Sequence, residues 1–318
     1  MRVEHGMHPE DPLLDERQLA RYLRQHHLSP LHRFGQHFLV DAEVLHALVQ
    51  ASETDPTIPT IEIGAGLGVL TRALAERRQQ AADNRQQELA PLLAVELDRR
   101  LIPLLRERVR PYSSVRIIQG DILKMSLSLE KIFSTAASRL PSASYDVIGS
   151  IPYNITAPIL EKFLAQDPRP RRLTVLVDQA VANVIAAAPP HVSVRTVSVQ
   201  VFAEPSIVRD RIAPSAFIPK PAVPSAILAL SCRTRPLVPP EDERAFFRLV
   251  RAGFSQKRKT LANALAAAYH LSPADAAARL RRAGIDPSRR AQTLAISEWK
   301  RLLHSWGRRM PPERVQAT

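Results

Sequence analysis

Four consecutive residues, Ser150-Ile151-Pro152-Tyr153, close an apolar run that begins at Asp146, and their types suit work on the amine of a flat base. An amine on a heteroaromatic ring is a poor nucleophile, because its lone pair is delocalised into the ring. Hydrogen-bond acceptors set against its N–H bonds draw it toward tetrahedral geometry, and the Ser150 hydroxyl and Ile151 carbonyl can both accept. Pro152 fixes its own φ and stiffens the turn, so the carbonyl keeps one direction. Tyr153 offers a face on which an extruded base can stack, worth about 1–3 kcal/mol. A bland proline loop has the same composition, so the surroundings must decide.

Upstream, Gly64, Gly66 and Gly68 follow the apolar run Thr60–Ile63 and precede a helical pattern. Glycines between a strand and a helix let the backbone pass close to a ligand. A dinucleotide fingerprint needs glycine at position 69, where Val69 stands. That residue, and the lack of a catalytic His or a Tyr-x-x-x-Lys context, disfavours a nicotinamide oxidoreductase. The spacing G-x-G-x-G resembles the first motif of S-adenosylmethionine methyltransferases instead. The next apolar run ends in Glu96, whose carboxylate can accept from both hydroxyls of a ribose, and the third ends in Asp121-Ile122. Asp121 can accept from the exocyclic amine of an adenine, with Ile122 packed on its ring. A lone acid at a strand end is more often a helix cap. Three such sites in order, at the carboxyl ends of neighbouring strands, fall where open α/β sheets bind ligands.

These residues need a sheet to hold them. Short apolar runs at Thr60–Ile63, Leu92–Glu96, Val115–Gln119, Asp146–Ser150 and Leu173–Val177 alternate with helical patterns at Leu67–Arg77, Asp98–Arg108 and Ala157–Leu164. That alternation predicts a mostly parallel, Rossmann-like α/β sheet. Val192–Phe202 and Ala226–Cys232, with no long helix between them, predict an antiparallel hairpin at its edge. Ahead of the sheet lie a helix over residues 15–32 and another over Ala42–Ala51. Beyond the proline-rich stretch at 235–240, four amphipathic patterns (Glu243–Ala252, Thr260–Tyr269, Pro273–Ala283, Ser297–Trp306) predict a small all-α domain. The expected domains are a disordered lead-in at 1–14, a ligand-binding α/β domain at 15–235 and a basic helical domain at 236–318.

The formal net charge is +13 over 318 residues, which favours a polyanionic partner. Residues 241–318 hold 16 Lys and Arg against 7 Asp and Glu, so most of the excess lies in the last quarter. Its densest cluster, Lys257-Arg258-Lys259, is a candidate for nucleic-acid phosphates. One cysteine, Cys232, excludes an internal disulfide, and ten scattered histidines offer no metal cluster. No run reaches the roughly 18 apolar residues of a membrane span, and the N-terminus lacks the apolar core of a signal peptide. A cytoplasmic protein without metal, and a monomer, is expected.

Four segments taken together resemble the KsgA/RsmA family of small-subunit ribosomal RNA adenine dimethyltransferases. Arg33-Phe-Gly-Gln-His37-Phe-Leu39-Val-Asp41 is similar to its N-terminal motif, which closes over the cofactor. Ser150 to Leu160 resembles its catalytic stretch, and Ala216-Phe217-Ile-Pro-Lys-Pro-Ala-Val-Pro-Ser225 its F-x-P-x-P-x-V-x-S segment. Phe254 to Leu265 is similar to the basic signature that opens its C-terminal domain. The likeness runs from about Asp15 to Leu303. It implies methyl transfer from S-adenosylmethionine to the N6 amines of two adjacent adenosines in the 3′-terminal hairpin of small-subunit rRNA, on a partly assembled subunit. It also implies cofactor contacts at His37, Leu39, Gly64, Glu96, Asp121 and Ser150, and a second aromatic wall for the base at Phe217. The sulfonium methyl is already activated, so positioning and electrostatics suffice without a strong base. Two departures stand out: the family's usual asparagine is Ser150 here, and residues 178–183 have lost its charged pattern. The rival readings are an Erm-type enzyme acting on large-subunit rRNA, and an rRNA-binding assembly factor that keeps the fold without turnover.

Overall fold

Thr60–Ile63 (β2) and Leu92–Glu96 (β3) are buried at every position, as strands covered on both faces must be. The structure, a computed structural model, describes residues 11–126 and 144–306. β2 pairs in parallel with β3 on one side and with Asp146–Ser150 (β5) on the other. Val115–Gln119 (β4) extends the sheet beyond β3, and Arg172–Asp178 (β6) extends it beyond β5, both in parallel. Ser225–Cys232 (β9) then joins β6 antiparallel, and Ala203–Ile212 (β7) closes the order β4-β3-β2-β5-β6-β9-β7. Strand order reverses between β2 and β5, which opens a crevice at their carboxyl ends. The α/β class with an antiparallel edge is therefore present. A separate two-stranded ribbon pairs Phe38–Leu39 (β1) antiparallel with Phe217–Ile218 (β8).

The helices of this part are Glu16–Gln25 (α1), Ala42–Ala51 (α2), Val69–Arg85 (α3), Ile102–Val109 (α4) and Thr156–Ala165 (α5). Asp15 and Asp41 cap α1 and α2 by accepting from Gln18 N and Val44 N. α1 stops well short of the expected residue 32. His27 takes a left-handed φ of 52° and Leu28 N donates to the Leu23 carbonyl, the bond that terminates a helix through a left-handed residue.

Two further expectations are corrected. Val192–Phe202, expected as a strand, holds the helix Val194–Gln200 (α7), which follows Gln179–Ala186 (α6). A capping box starts it: Ser193 Oγ accepts from Thr196 N at 3.1 Å, and Thr196 Oγ1 accepts from Ser193 N at 3.0 Å. The edge strand is the next segment, β7, whose Pro205 an edge tolerates. The expected lead-in at 1–14 is also revised. Residues 1–10 lie outside the described residues, but Pro12–Leu14 forms a 3-10 turn. Leu13 packs with Leu19, Leu23 and Leu67, and Asp11 pairs with Arg72 and Arg108.

The chain up to Ala182, with Ser206–Cys232, forms one compact unit; Asn183–Pro205, with the chain from Arg233, forms another. The expected single boundary near 235 thus becomes an excursion of the α/β segment into the helical unit. Within that unit Val192 N donates to the Gln292 carbonyl, and the Phe202 and Phe247 rings sit 6.1 Å apart. Its other helices are Pro240–Phe254 (α8), Leu261–Tyr269 (α9), Pro273–Arg282 (α10) and Ile296–Trp306 (α11), around Phe246, Leu249, Leu265, Leu280 and Trp299. Among the described residues no helix is long and apolar enough to cross a membrane.

Candidate active site

The turn after β5 faces the glycine loop after β2. A Cβ built on Gly64, at φ 72°, lies 3.4 Å from the Ser150 carbonyl oxygen. The segment before β1 lies on the same turn: a Cβ on Gly35, at φ 60°, comes within 3.0 Å of Pro152 Cβ. Larger residues at either position push these segments apart. A cavity of about 210 Å³ lies among them. His37, Leu39, Gly64, Gly66, Glu96, Asp121, Ile122, Ser150, Ile151, Pro152, Tyr153 and Phe217 all line it.

Glu96 ends β3, 6% exposed, with Oε2 accepting from Gly66 N and Oε1 from Asp98 N, both at 2.7 Å. Burial pushes its carboxyl up, against these backbone hydrogen bonds. Each oxygen keeps a further lone pair, so the held carboxylate can still accept from a diol in the cavity. Asp121 Oδ1 accepts from Leu123 N at 3.0 Å, and Lys124 lies 3.7 Å from Oδ2. Ile122 beside it is buried. These residues fit a nucleoside bearing an amino-acid tail: acceptors at two strand ends, an apolar side chain next to the second of them, and a loop open enough for backbone approach.

His37 Nδ1 donates to the Pro219 carbonyl at 2.6 Å, since a carbonyl can only accept. Its ring lies nearly parallel to Tyr153, at 18° with centroids 6.0 Å apart. The Tyr153 hydroxyl bonds the Ser225 hydroxyl at the start of β9. Burial pushes the phenol above its ordinary pKa, so Tyr153 stays protonated. Phe217 is 1% exposed and packs in the core with Leu48 and Leu176 while lining the cavity. Among the described residues the ring lying nearly parallel to Tyr153 is that of His37, and Phe217 lines the same cavity.

Lys257, Arg258 and Lys259 are exposed between α8 and α9, in the other unit. Residues beyond the sequence reading complete the site. Gln36 Nε2 donates to Asp98 Oδ2 at 2.9 Å and its Oε1 accepts from Leu31 N, which ties the N-terminal motif to the end of β3. Burial alone raises the Asp98 carboxyl, but hydrogen bonds from Arg100 and Gln36 outweigh it and hold the group low. Ser225 carries a signal only as the last residue of the F-x-P-x-P-x-V-x-S segment; its pairing with Tyr153 is tertiary. Glu62, in β2 two residues before Gly64, is fully buried beside Thr71. Burial pushes its pKa up to about 8.

A family model for ribosomal RNA adenine dimethylase matches residues 30–305. The ribosomal RNA small subunit methyltransferase A of Dehalococcoides mccartyi is 38% identical over 268 residues, covering 84% of this chain and 85% of that one. The Moorella thermoacetica protein of the same name is 37% identical over 281 residues, covering 87% and 92%. The 23S rRNA methyltransferase ErmE superposes with a TM-score of 0.65 at 24% identity, over 84% of this chain and 98% of its own. A dimethyladenosine transferase from Plasmodium falciparum gives 0.66 at 21%, over 85% and 97%. These two structures share the fold. With most of its length matched by the family model and by relatives above 30% identity, the chain belongs to the ribosomal RNA adenine dimethylase family.

Proposed function

We propose that this chain transfers methyl groups from S-adenosylmethionine to the N6 amines of two adjacent adenosines in the 3′-terminal hairpin of small-subunit rRNA, giving N6,N6-dimethyladenosines as the subunit assembles. One observation carries the reading: in a chain of this family, the Ser150–Tyr153 turn closes on the glycine loop around one cavity. Bound there, the cofactor supplies a methyl group already activated on a sulfonium. Glu96 orients its ribose, and Asp121 with Ile122 its adenine; Gly64, Gly66, His37 and Leu39 bound the rest. The Ser150 hydroxyl and Ile151 carbonyl accept from the target amine, Pro152 holds that carbonyl in place, and Tyr153 carries the base. Phe217 backs the cavity from the core. Lys257, Arg258 and Lys259 take rRNA phosphates. The reading includes a cytoplasmic monomer that needs no metal.

Transfer of labelled methyl groups to unmethylated small subunits, followed by mass spectrometry of the rRNA, tests it. Dimethyladenosine at two adjacent positions is expected. Methylation of large subunits instead points to the Erm-type reaction, and cofactor binding without transfer points to an assembly factor; either overturns the proposal.

A further inference from the structure

A second concavity, of about 630 Å³, opens in the helical unit between the end of α10 and the outer face of α11. Arg282, Lys300, Arg301 and His304 line it, with Ser297 and Ser305 among them and no carboxylate among the described residues; the Ser305 hydroxyl donates to the Arg279 and Leu302 carbonyls. Two of the basic groups are held in place. Arg301 Nε donates to the Ala283 carbonyl at 3.3 Å, and His304 Nδ1 donates to the Lys300 carbonyl at 2.8 Å. The second bond turns Nε2 of that ring away from its own helix.

The nearby acids are committed elsewhere. Glu298 accepts from Arg289 at 2.6 and 3.1 Å and from Ala295 N at 2.9 Å, while Arg301 reaches it only at 3.9 Å. Asp286 accepts from Ser288 N and its hydroxyl. From Arg279 to Trp306 the sequence carries seven Arg and Lys against two Asp and Glu. Arg301 has Glu298 as a counter-charge, whereas Arg282 and Lys300 have no ion pair among the described residues; gathered cations repel one another, and a concave surface concentrates their field. Guanidinium and ammonium donors lining one hollow match the oxygens of a phosphodiester.

We propose that this hollow is a second seat for the RNA backbone, binding phosphates of small-subunit rRNA apart from the Lys257–Lys259 segment. The inference rests on the proposed RNA substrate. Two separate phosphate contacts on one unit fix the orientation of the RNA, where one contact leaves it free to pivot.

The test is the double variant Arg282→Ala/Lys300→Ala, which leaves the Arg301 bond to the Ala283 carbonyl in place. Binding to unmethylated small subunits is measured across salt concentrations. The slope of log affinity against log salt is expected to become shallower by about 1–2, with weaker binding at low salt. Affinity for S-adenosylmethionine and the thermal midpoint should match the wild type, and Arg282→Lys/Lys300→Arg should restore the slope. A folded double variant with the wild-type slope overturns the inference alone. Weakened binding with an unchanged slope points to a protein surface and overturns it too. A wild type that neither binds nor methylates small subunits overturns the functional reading, and with it the assignment of this hollow to rRNA.

Discussion

Glu96 holds two backbone amides with one carboxylate while keeping acceptor capacity for a ligand. Replacing it by alanine should raise the S-adenosylmethionine dissociation constant roughly 10–100-fold, the cost of hydrogen bonds to a charged acceptor; an unchanged constant by calorimetry refutes that role. Glu62 makes a prediction of another kind. Below about pH 4.5 the folded and unfolded chains both keep its proton. Between there and about 8 the unfolded chain releases it and the folded chain does not, so stability falls as pH rises through this window. Glu62→Gln should flatten that slope and be more stable than the wild type at pH 8 by roughly 1–3 kcal/mol. Denaturation curves at pH 5 and pH 8 decide; equal differences at both would sink the idea. Phe217, deep in the core, should announce itself in stability first: Phe217→Ala should cost about 3–5 kcal/mol in a denaturant titration.

At the scale of elements, the site is a meeting of segments far apart in sequence. The β1–β8 ribbon brings His37 and Pro219 together, and β9 delivers Ser225 to the Tyr153 hydroxyl. The tyrosine ring is thus fixed at its hydroxyl by one element and lies in register with a histidine from another. Tyr153→Phe and Ser225→Ala should each slow methylation about 3–10-fold, and the double variant should be no slower than either single one, because each removes half of the same bond. Cofactor affinity should not move in any of the three. Losses that multiply would mean the two residues act independently. The exchange of strand for helix at Val194–Gln200 belongs to this scale as well. The apolar run Val192–Phe202 reads as a strand, yet a local capping box and the Thr196 Oγ1 bond to the Val184 carbonyl favour the helix.

For the whole molecule, charge follows architecture. The α/β unit holds the ligand cavity, and the helical unit holds both the Lys257–Lys259 segment and the hollow between α10 and α11. Neutralising Lys257, Arg258 and Lys259 together should weaken small-subunit binding and lower the salt slope by about 2–3. A slope equal to the wild type's in that measurement removes these residues from the RNA contact.

The amino-acid sequence alone determined the five parallel strands, the order of the ligand-facing strand ends and the motif at Ser150–Tyr153, because these depend on local patterns: apolar runs covered on both faces, glycines at a strand end, a proline after a strand. It also carried the family likeness and the basic C-terminal quarter. Only tertiary structure decided that Ser225 bonds Tyr153, that Gln36 bonds Asp98, that Phe217 lies within the core and that residues 183–205 leave the α/β unit. Those outcomes depend on which distant segments can share buried space and satisfy one another's polar groups, and no spacing along the chain encodes that.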